Sequence, residues 1–415
     1  MKCLTILFIC SLLLSCASKE TKIYQWRGEA RKGIFQEHNL IKKWPENGPK
    51  EIWYAENIGN GYGSPTITEE AIFITGEIDS TAWLFCFDLA GKTRWKQNLG
   101  KEWTTGFPGS RSAPTIAGDL AYVVTGMGNL FCLKSNDGEI IWSKDFKTDG
   151  HGIYPMHGFS EAPVIDTDKI FWTTGGKETN VLALNRFTGE TIWSCKGVGE
   201  RSGYNPGNLI ELSNRKIFVT FSAYHLMGID AQTGQLLWTH LQDNTPEEKR
   251  ELGVGDTHSN GIIYEDGYIY YAAGDGNCGV KLQLSEDGSS ITEIWRNPDF
   301  DGFMGGIIKV GDFIYGGRSS KRELLSINAT TGENTDTLAI GSGALIAADN
   351  MLYYYNQRGQ LSLVSYEQGK MKQESVFKIV RGTREHFSHP VIKNGILYQR
   401  HGDTLMAFDI REEKM

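Results

Sequence analysis

Residues 185–193 read NRFTGETIW, with Gly189 four positions before Trp193. The same spacing returns in FDLAGKTRW (87–95), KSNDGEIIW (134–142) and DAQTGQLLW (230–238), and a looser copy ends at Trp295. Glycine supplies the positive φ of a tight turn, and the indole offers a large flat face to a neighbouring repeat. From Trp95 to Trp295 the tryptophans are 47, 51, 45 and 57 residues apart. That period suits one four-stranded propeller blade.

A second element precedes each turn. It reads SPTITEEAIFITG (64–76), APTIAGDLAYVVTG (113–126), APVIDTDKIFWTTG (162–175), NGIIYEDGYIYYAAG (260–274) and HPVIKNGILYQRHG (389–402). Each is a short apolar strand, a turn, and a second apolar or aromatic strand; runs such as WLFCFD (83–88) and NLFCLK (129–134) supply a third. Units begin near Gly63, Ser112, Glu161, Gly203, Asn260, Gly305, Ser342 and Ser388, and the last stops at Ile410 without a fourth strand. The missing strand stands at the other end of the chain, in Lys50-Glu51-Ile52-Trp53. The expectation is an all-β, eight-bladed propeller of four-stranded blades over residues 50–412. A strand around Trp53 pairs into the last blade, so that no sheet edge is left open by the chain ends. In the last complete blades the pattern weakens. SINATTGEN (326–334) keeps Gly332 but has Asp336 in the tryptophan's place, which predicts looser docking there.

The composition agrees, with 11 Trp, 17 Tyr and 49 Gly and no long helical apolar pattern. Roughly 400 residues would ordinarily suggest two or three domains, but the repeat makes them one. A net charge of −8 without acidic or basic blocks gives no reason to expect nucleic acid as a partner. At the N-terminus, Lys2 precedes an apolar run from Cys3 to Leu14, too short to span a membrane, which ends in Leu13-Leu14-Ser15-Cys16. This looks like a bacterial lipobox. It implies a signal peptide over 1–15, a lipid on Cys16, and a tether and lead-in segment over 16–49. Ala17, in place of an aspartate, favours the outer membrane by the same resemblance. Cys86, Cys132, Cys195 and Cys278 show no close pairing; export permits disulfides, but the spacing demands none.

The tryptophan-docking repeat resembles the propeller of pyrroloquinoline-quinone (PQQ) alcohol dehydrogenases. Together with the lipobox, eight such blades resemble the BamB-type outer-membrane assembly lipoproteins. Tyr24-Gln25-Trp26-Arg27-Gly28, with Leu40 and Trp44-Pro45, is similar to the lead-in of bacterial PQQ-like repeat proteins. The quinoprotein resemblance implies PQQ with Ca²⁺, held by an adjacent Cys-Cys disulfide, a tryptophan floor, acidic or amide calcium ligands and an aspartate base. No two cysteines are adjacent here, which disfavours that cofactor. Cys86 and Cys132 fit small buried hydrophobes instead, and Trp83, Trp103 and Trp172 fit packing.

In a propeller, the loops entering the innermost strands gather around one mouth of the central channel. In this chain those loops carry Arg111, His157, Glu161, Arg201, Tyr204, Asp256, His258, Asn260, Arg384, Glu385, His386 and His389. Residues two apart on a strand share a direction, so Glu161, His258, Asn260 and His386 are expected to converge on the mouth. Three readings stay open. The ring is a solvated rim with internal ion pairs, such as Arg201 with Glu161 or Asp256. Alternatively it is a docking or ligand surface, or a catalytic or metal site. No HxH or HExxH spacing favours the last. A charged insert at 241–255 is expected as an exposed loop. The function expected is a lipid-anchored, monomeric scaffold that binds outer-membrane or periplasmic proteins, or a small polar ligand. The alternative is a quinoprotein-like or metal-dependent enzyme, or a solute-binding propeller, acting on an alcohol or carbohydrate.

Overall fold

Each repeat unit folds into a four-stranded antiparallel sheet whose first strand lies innermost and whose Gly-x-x-x-Trp strand lies outermost. The computed structural model describes residues 22–242, 245–256, 258–274 and 277–413. The leader and Cys16 lie outside the described residues. Blades 1 to 7 occupy residues 66–101, 115–144, 164–195, 208–241, 263–297, 307–338 and 343–378. Blade 8 combines Val391–Lys393, Ile396–His401 and Thr404–Asp409 with Lys50–Ala55 as its outermost strand; Lys50 stands opposite Asp409 and Trp53 opposite Ala407. The protein is an eight-bladed β-propeller. Among the described residues no helix is long and apolar enough to cross a membrane. The insert at 241–255 contributes one 3₁₀ turn, Glu247–Lys249.

The repeated glycine and tryptophan meet between blades, not within one. A β-carbon on Gly138 (φ +79) would lie 2.6 Å from the Trp95 ring, and one on Gly234 (φ +78) 2.7 Å from Trp193. The indole of one blade therefore stacks on the turn of the next, where only glycine fits. Most of these indoles also donate to that turn: Trp53 to the Leu89 carbonyl at 3.0 Å, Trp142 to Arg186 at 3.0 Å and Trp193 to Ala231 at 3.2 Å. At the joint between blades 6 and 7 the device changes. Asp336 accepts the Met371 amide at 2.7 Å, and Lys370 donates to the Thr335 carbonyl at 2.8 Å. The lost indole is replaced by hydrogen bonds. Between blades 7 and 8, Phe377 packs where a β-carbon on Gly48 would stand, 2.9 Å away, so the lead-in segment supplies the last turn of the ring.

That segment does more than close the ring. Ile23–Tyr24 pairs with the innermost strand of blade 2, and Ile34–Phe35 pairs in parallel with that of blade 7. Between them the chain rises into the channel and returns. Arg31 donates to the Ala162 and Pro163 carbonyls of the loop entering blade 3, at 3.0 and 2.5 Å. Arg27 reaches the opposite side, to Leu345 at 2.8 Å and Ile307 at 2.6 Å. Both guanidiniums are buried, and burial pulls Arg27 down to about 9 and Arg31 to about 10. The channel is plugged from the face that carries the hairpin turns within blades.

Candidate functional site

The plug turns the other end of the channel into a blind cavity of about 330 Å³. Trp26, at the top of the plug, forms its floor with Ala113 and Ala162. The loops between blades form its walls. Successive ring centroids run from Tyr62 to Phe387 (5.4 Å), Phe387 to Phe107 (6.0 Å), Phe107 to His157 (5.7 Å) and His157 to Tyr204 (6.1 Å), a continuous arc of aromatic faces. Phe303 and Met304 stand among the remaining wall residues, and the lining is mostly apolar.

The polar atoms of this arc are turned toward protein partners. The Tyr62 hydroxyl donates to Glu385 at 2.7 Å, which together with burial raises its pKa. The Tyr204 hydroxyl accepts the His157 amide at 3.1 Å, and its burial raises it likewise. Arg111 donates to the carbonyls of Gly109, Phe107 and Gly106 at 2.7, 2.6 and 3.2 Å and lies over the Tyr62 ring. His389 sets its ring edge against Trp26 (5.3 Å), and burial beside Arg27 pushes it down to about 3, so it is neutral at physiological pH.

Of the residues expected at the mouth, Arg111, His157, Tyr204 and His389 line the cavity. The expected convergence of Glu161, His258, Asn260 and His386 does not occur. Glu161 is buried behind the wall, accepting the Thr173 amide and hydroxyl at 3.0 Å each; desolvation raises it to about 7, against the pull of Arg31. Asn260 ties blade 5 to blade 6, donating to the Gly302 carbonyl and accepting the Gly306 amide at 2.7 Å. Ser112 joins blades 2 and 3 in the same way, donating to the Glu161 carbonyl at 2.8 Å. At this repeat position Ser112 and Asn260 are blade-to-blade ties. His258 is fully buried, with Nε2 at 2.8 Å from the Ala223 carbonyl and its ring beside Phe221. His386 stacks on His401 (3.7 Å) and contacts the Tyr355 hydroxyl over the joint of blades 7 and 8; burial and His401 push it down to about 4. Arg201 and Asp256 form one of the two ion pairs expected of a rim, with Nε to Oδ2 at 2.8 Å and the Arg201 Nη2 on Tyr224 at 2.7 Å.

Sequence reasoning missed the aromatics, above all Trp26 and Phe387. The available signal was position: Phe107 and Phe387 sit in the same strand-entry loops as the ionisable residues.

A family model described as outer membrane protein assembly factor BamB matches residues 80–337, over half of the chain. The chain belongs to that family. Among solved structures it is similar to BamB from Moraxella catarrhalis, with a TM-score of 0.62 at 12% identity, over 88% of this chain and 98% of that one. A europium-containing methanol dehydrogenase gives 0.65 at 11%, over 91% and 90%, and Saccharomyces cerevisiae Sqt1 gives 0.59 at 14%, over 87% and 99%. At such identities the likeness shows the fold alone. No curated protein matches the sequence.

The site does not fit a calcium-bound quinone. Trp26 supplies an indole floor, but among the described residues the lining holds no aspartate, glutamate or asparagine to ligate the metal. Cys86, Cys132, Cys195 and Cys278 are buried thiols distributed over four separate core clusters, and desolvation raises Cys86 and Cys132 to about 12. Among the described residues no group of three or more His, Cys, Asp or Glu is placed to hold a metal ion.

Proposed function

We propose that the chain is an exported, lipid-anchored scaffold of the bacterial outer membrane that docks a protein partner on the rim around the channel mouth. Family membership supports the assembly role, since the matching model is described as an outer membrane assembly factor. The observation that carries the docking reading is an apolar crescent on the rim. Phe107 (45% exposed) packs against His157; beside it Met156 (46%) touches the Gly253 backbone, next to Leu252 (55%). Exposed apolar surface of this kind, rimmed by charge, marks interaction sites. Arg201 and Arg250 supply that charge; Arg250 lies over the Tyr224 ring, whose hydroxyl Arg201 bonds.

Two measurements test the reading. In cells, a chain carrying Met156→Glu and Leu252→Glu is expected to lose most of the partner crosslinked to the wild type while folding normally. Unchanged crosslinking removes the crescent from the interface. Cys16→Ser is expected to abolish incorporation of labelled palmitate and to release the protein from membranes.

A further inference from the structure

The rim reading leaves the cavity below it unexplained. A scaffold that docks through loops needs no blind, aromatic-walled chamber on its axis. Its volume of about 330 Å³ falls within the roughly 300–1,000 Å³ of small-molecule sites. The geometry points to a binding site for a small, uncharged, ring-bearing and largely apolar molecule, stacked between the Tyr62–Phe387–Phe107 wall and the Trp26 floor.

The argument is one of elimination among ligand chemistries. Among the described residues of the lining, a cation has no carboxylate to meet it. Among the described residues of the lining, the permanent cation an anion would meet is Arg111, whose two terminal nitrogens already donate to three backbone carbonyls. Sugars are held by many side-chain donors and acceptors, whereas here the Tyr62 and Ser160 hydroxyls already donate to Glu385 and the Tyr204 carbonyl, and the Tyr204 oxygen accepts the His157 amide. What faces the chamber is aromatic surface, which stacks on flat apolar groups. His389 beside the floor adds no charge. Ser64, Ser259 and Gln357 in the lining are neutral, enough to orient one polar end of such a molecule.

This goes beyond partner docking and fails separately from it. The ring, its closing strand and its plug all lie within residues 22–413, so residues 22–415 can be tested as a soluble chain. Two probes share one ring system: uncharged N-phenyl-1-naphthylamine and its anionic sulfonate, 1-anilinonaphthalene-8-sulfonate. The neutral probe is expected to bind saturably at one site per chain, at least tenfold more tightly than the sulfonate. Binding should quench part of the tryptophan emission, and Trp26→Phe should remove that part. Ser259→Trp, which fills the chamber from a wall loop, and Phe387→Ala are each expected to weaken the neutral probe at least tenfold, with circular dichroism and thermal midpoint checked for folding. Absence of saturable binding, equal or tighter binding of the sulfonate, or indifference to both wall variants overturns the proposal. The crosslinking outcome with Met156→Glu and Leu252→Glu stands apart from every one of these results.

Discussion

At the threshold of blade 3 the Glu161 carboxyl is buried, held by the Thr173 amide and hydroxyl and turned away from the channel axis. The buried carboxyl has a thermodynamic consequence. Its folded pKa of about 7 lies above the unfolded 4.5, so between those values the folded state binds more protons and stability falls as pH rises. The full penalty is present above pH 7, on the order of 3 kcal/mol at 1.36 kcal/mol per unit. Glu161→Gln removes the titration while keeping an acceptor for Thr173. The variant is expected to gain stability relative to wild type between pH 5 and pH 8 in urea titrations; a pH-independent difference would show that Glu161 ionises normally. His389 has the opposite sign. Its folded pKa of about 3 lies below the ordinary 6.5, so the stability tied to its neutral form is lost as pH falls from 6.5 toward 3. His389→Phe, which keeps the aromatic edge on Trp26, is expected to narrow the gap in urea midpoint between pH 7 and pH 4.5.

At the scale of elements, the blade joint explains why the repeat was readable and the site was not. Gly189 and Trp193 recur because each joint needs a residue without a β-carbon under an indole, a demand repeated around the ring and so visible as a period. Gly234→Ala is expected to cost at least about 2 kcal/mol, combining a left-handed φ with a β-carbon 2.7 Å from Trp193. Gly100→Ala is the control. Its φ is also positive, at +84°, but nothing lies within 4 Å, so about 1 kcal/mol of backbone strain is all that should appear in denaturant titrations. Equal losses would mean that docking adds nothing to strain. The joint of blades 6 and 7 escaped this logic, because Asp336 has a different device with no period to announce it. The cavity escaped it for a related reason. Its walls come from eight loops of differing length, and its floor comes from Trp26, remote in sequence from all of them. Only the long-range pairing of Ile23–Tyr24 and Ile34–Phe35 with opposite blades brings that floor to the axis.

For the whole molecule, the plug sets a direction. The described chain begins at Lys22 on the face of the within-blade turns, where Lys22 pairs with Glu69 in the first such turn of blade 1 (2.6 Å) and Lys393, from blade 8, pairs with the same carboxylate (2.8 Å). The cavity opens on the other face, among the loops between blades. With the proposed acyl chain on Cys16, five residues separate it from Lys22, and the six steps between them reach about 20 Å when fully extended. A tether that short holds the turn face against the bilayer and points the mouth away from it. The apolar crescent and the chamber are then presented to the periplasm or the exterior, not to lipid, so whatever binds them would come from solution or from another protein. With that proposed anchor, plug and tether would be one segment, and tension on it would fall on Arg27 and Arg31, whose guanidiniums bond backbone carbonyls from blade 3 to blades 6 and 7. The orientation can be read directly. Single cysteines replacing Glu70, in the first turn of blade 1, and Leu252, on the rim, can carry a fluorophore on the lipidated protein in vesicles containing spin-labelled headgroups. Strong quenching at position 70 with little at 252 is expected; equal quenching would mean that the ring lies on its side, and the reverse order would mean that the mouth faces the membrane.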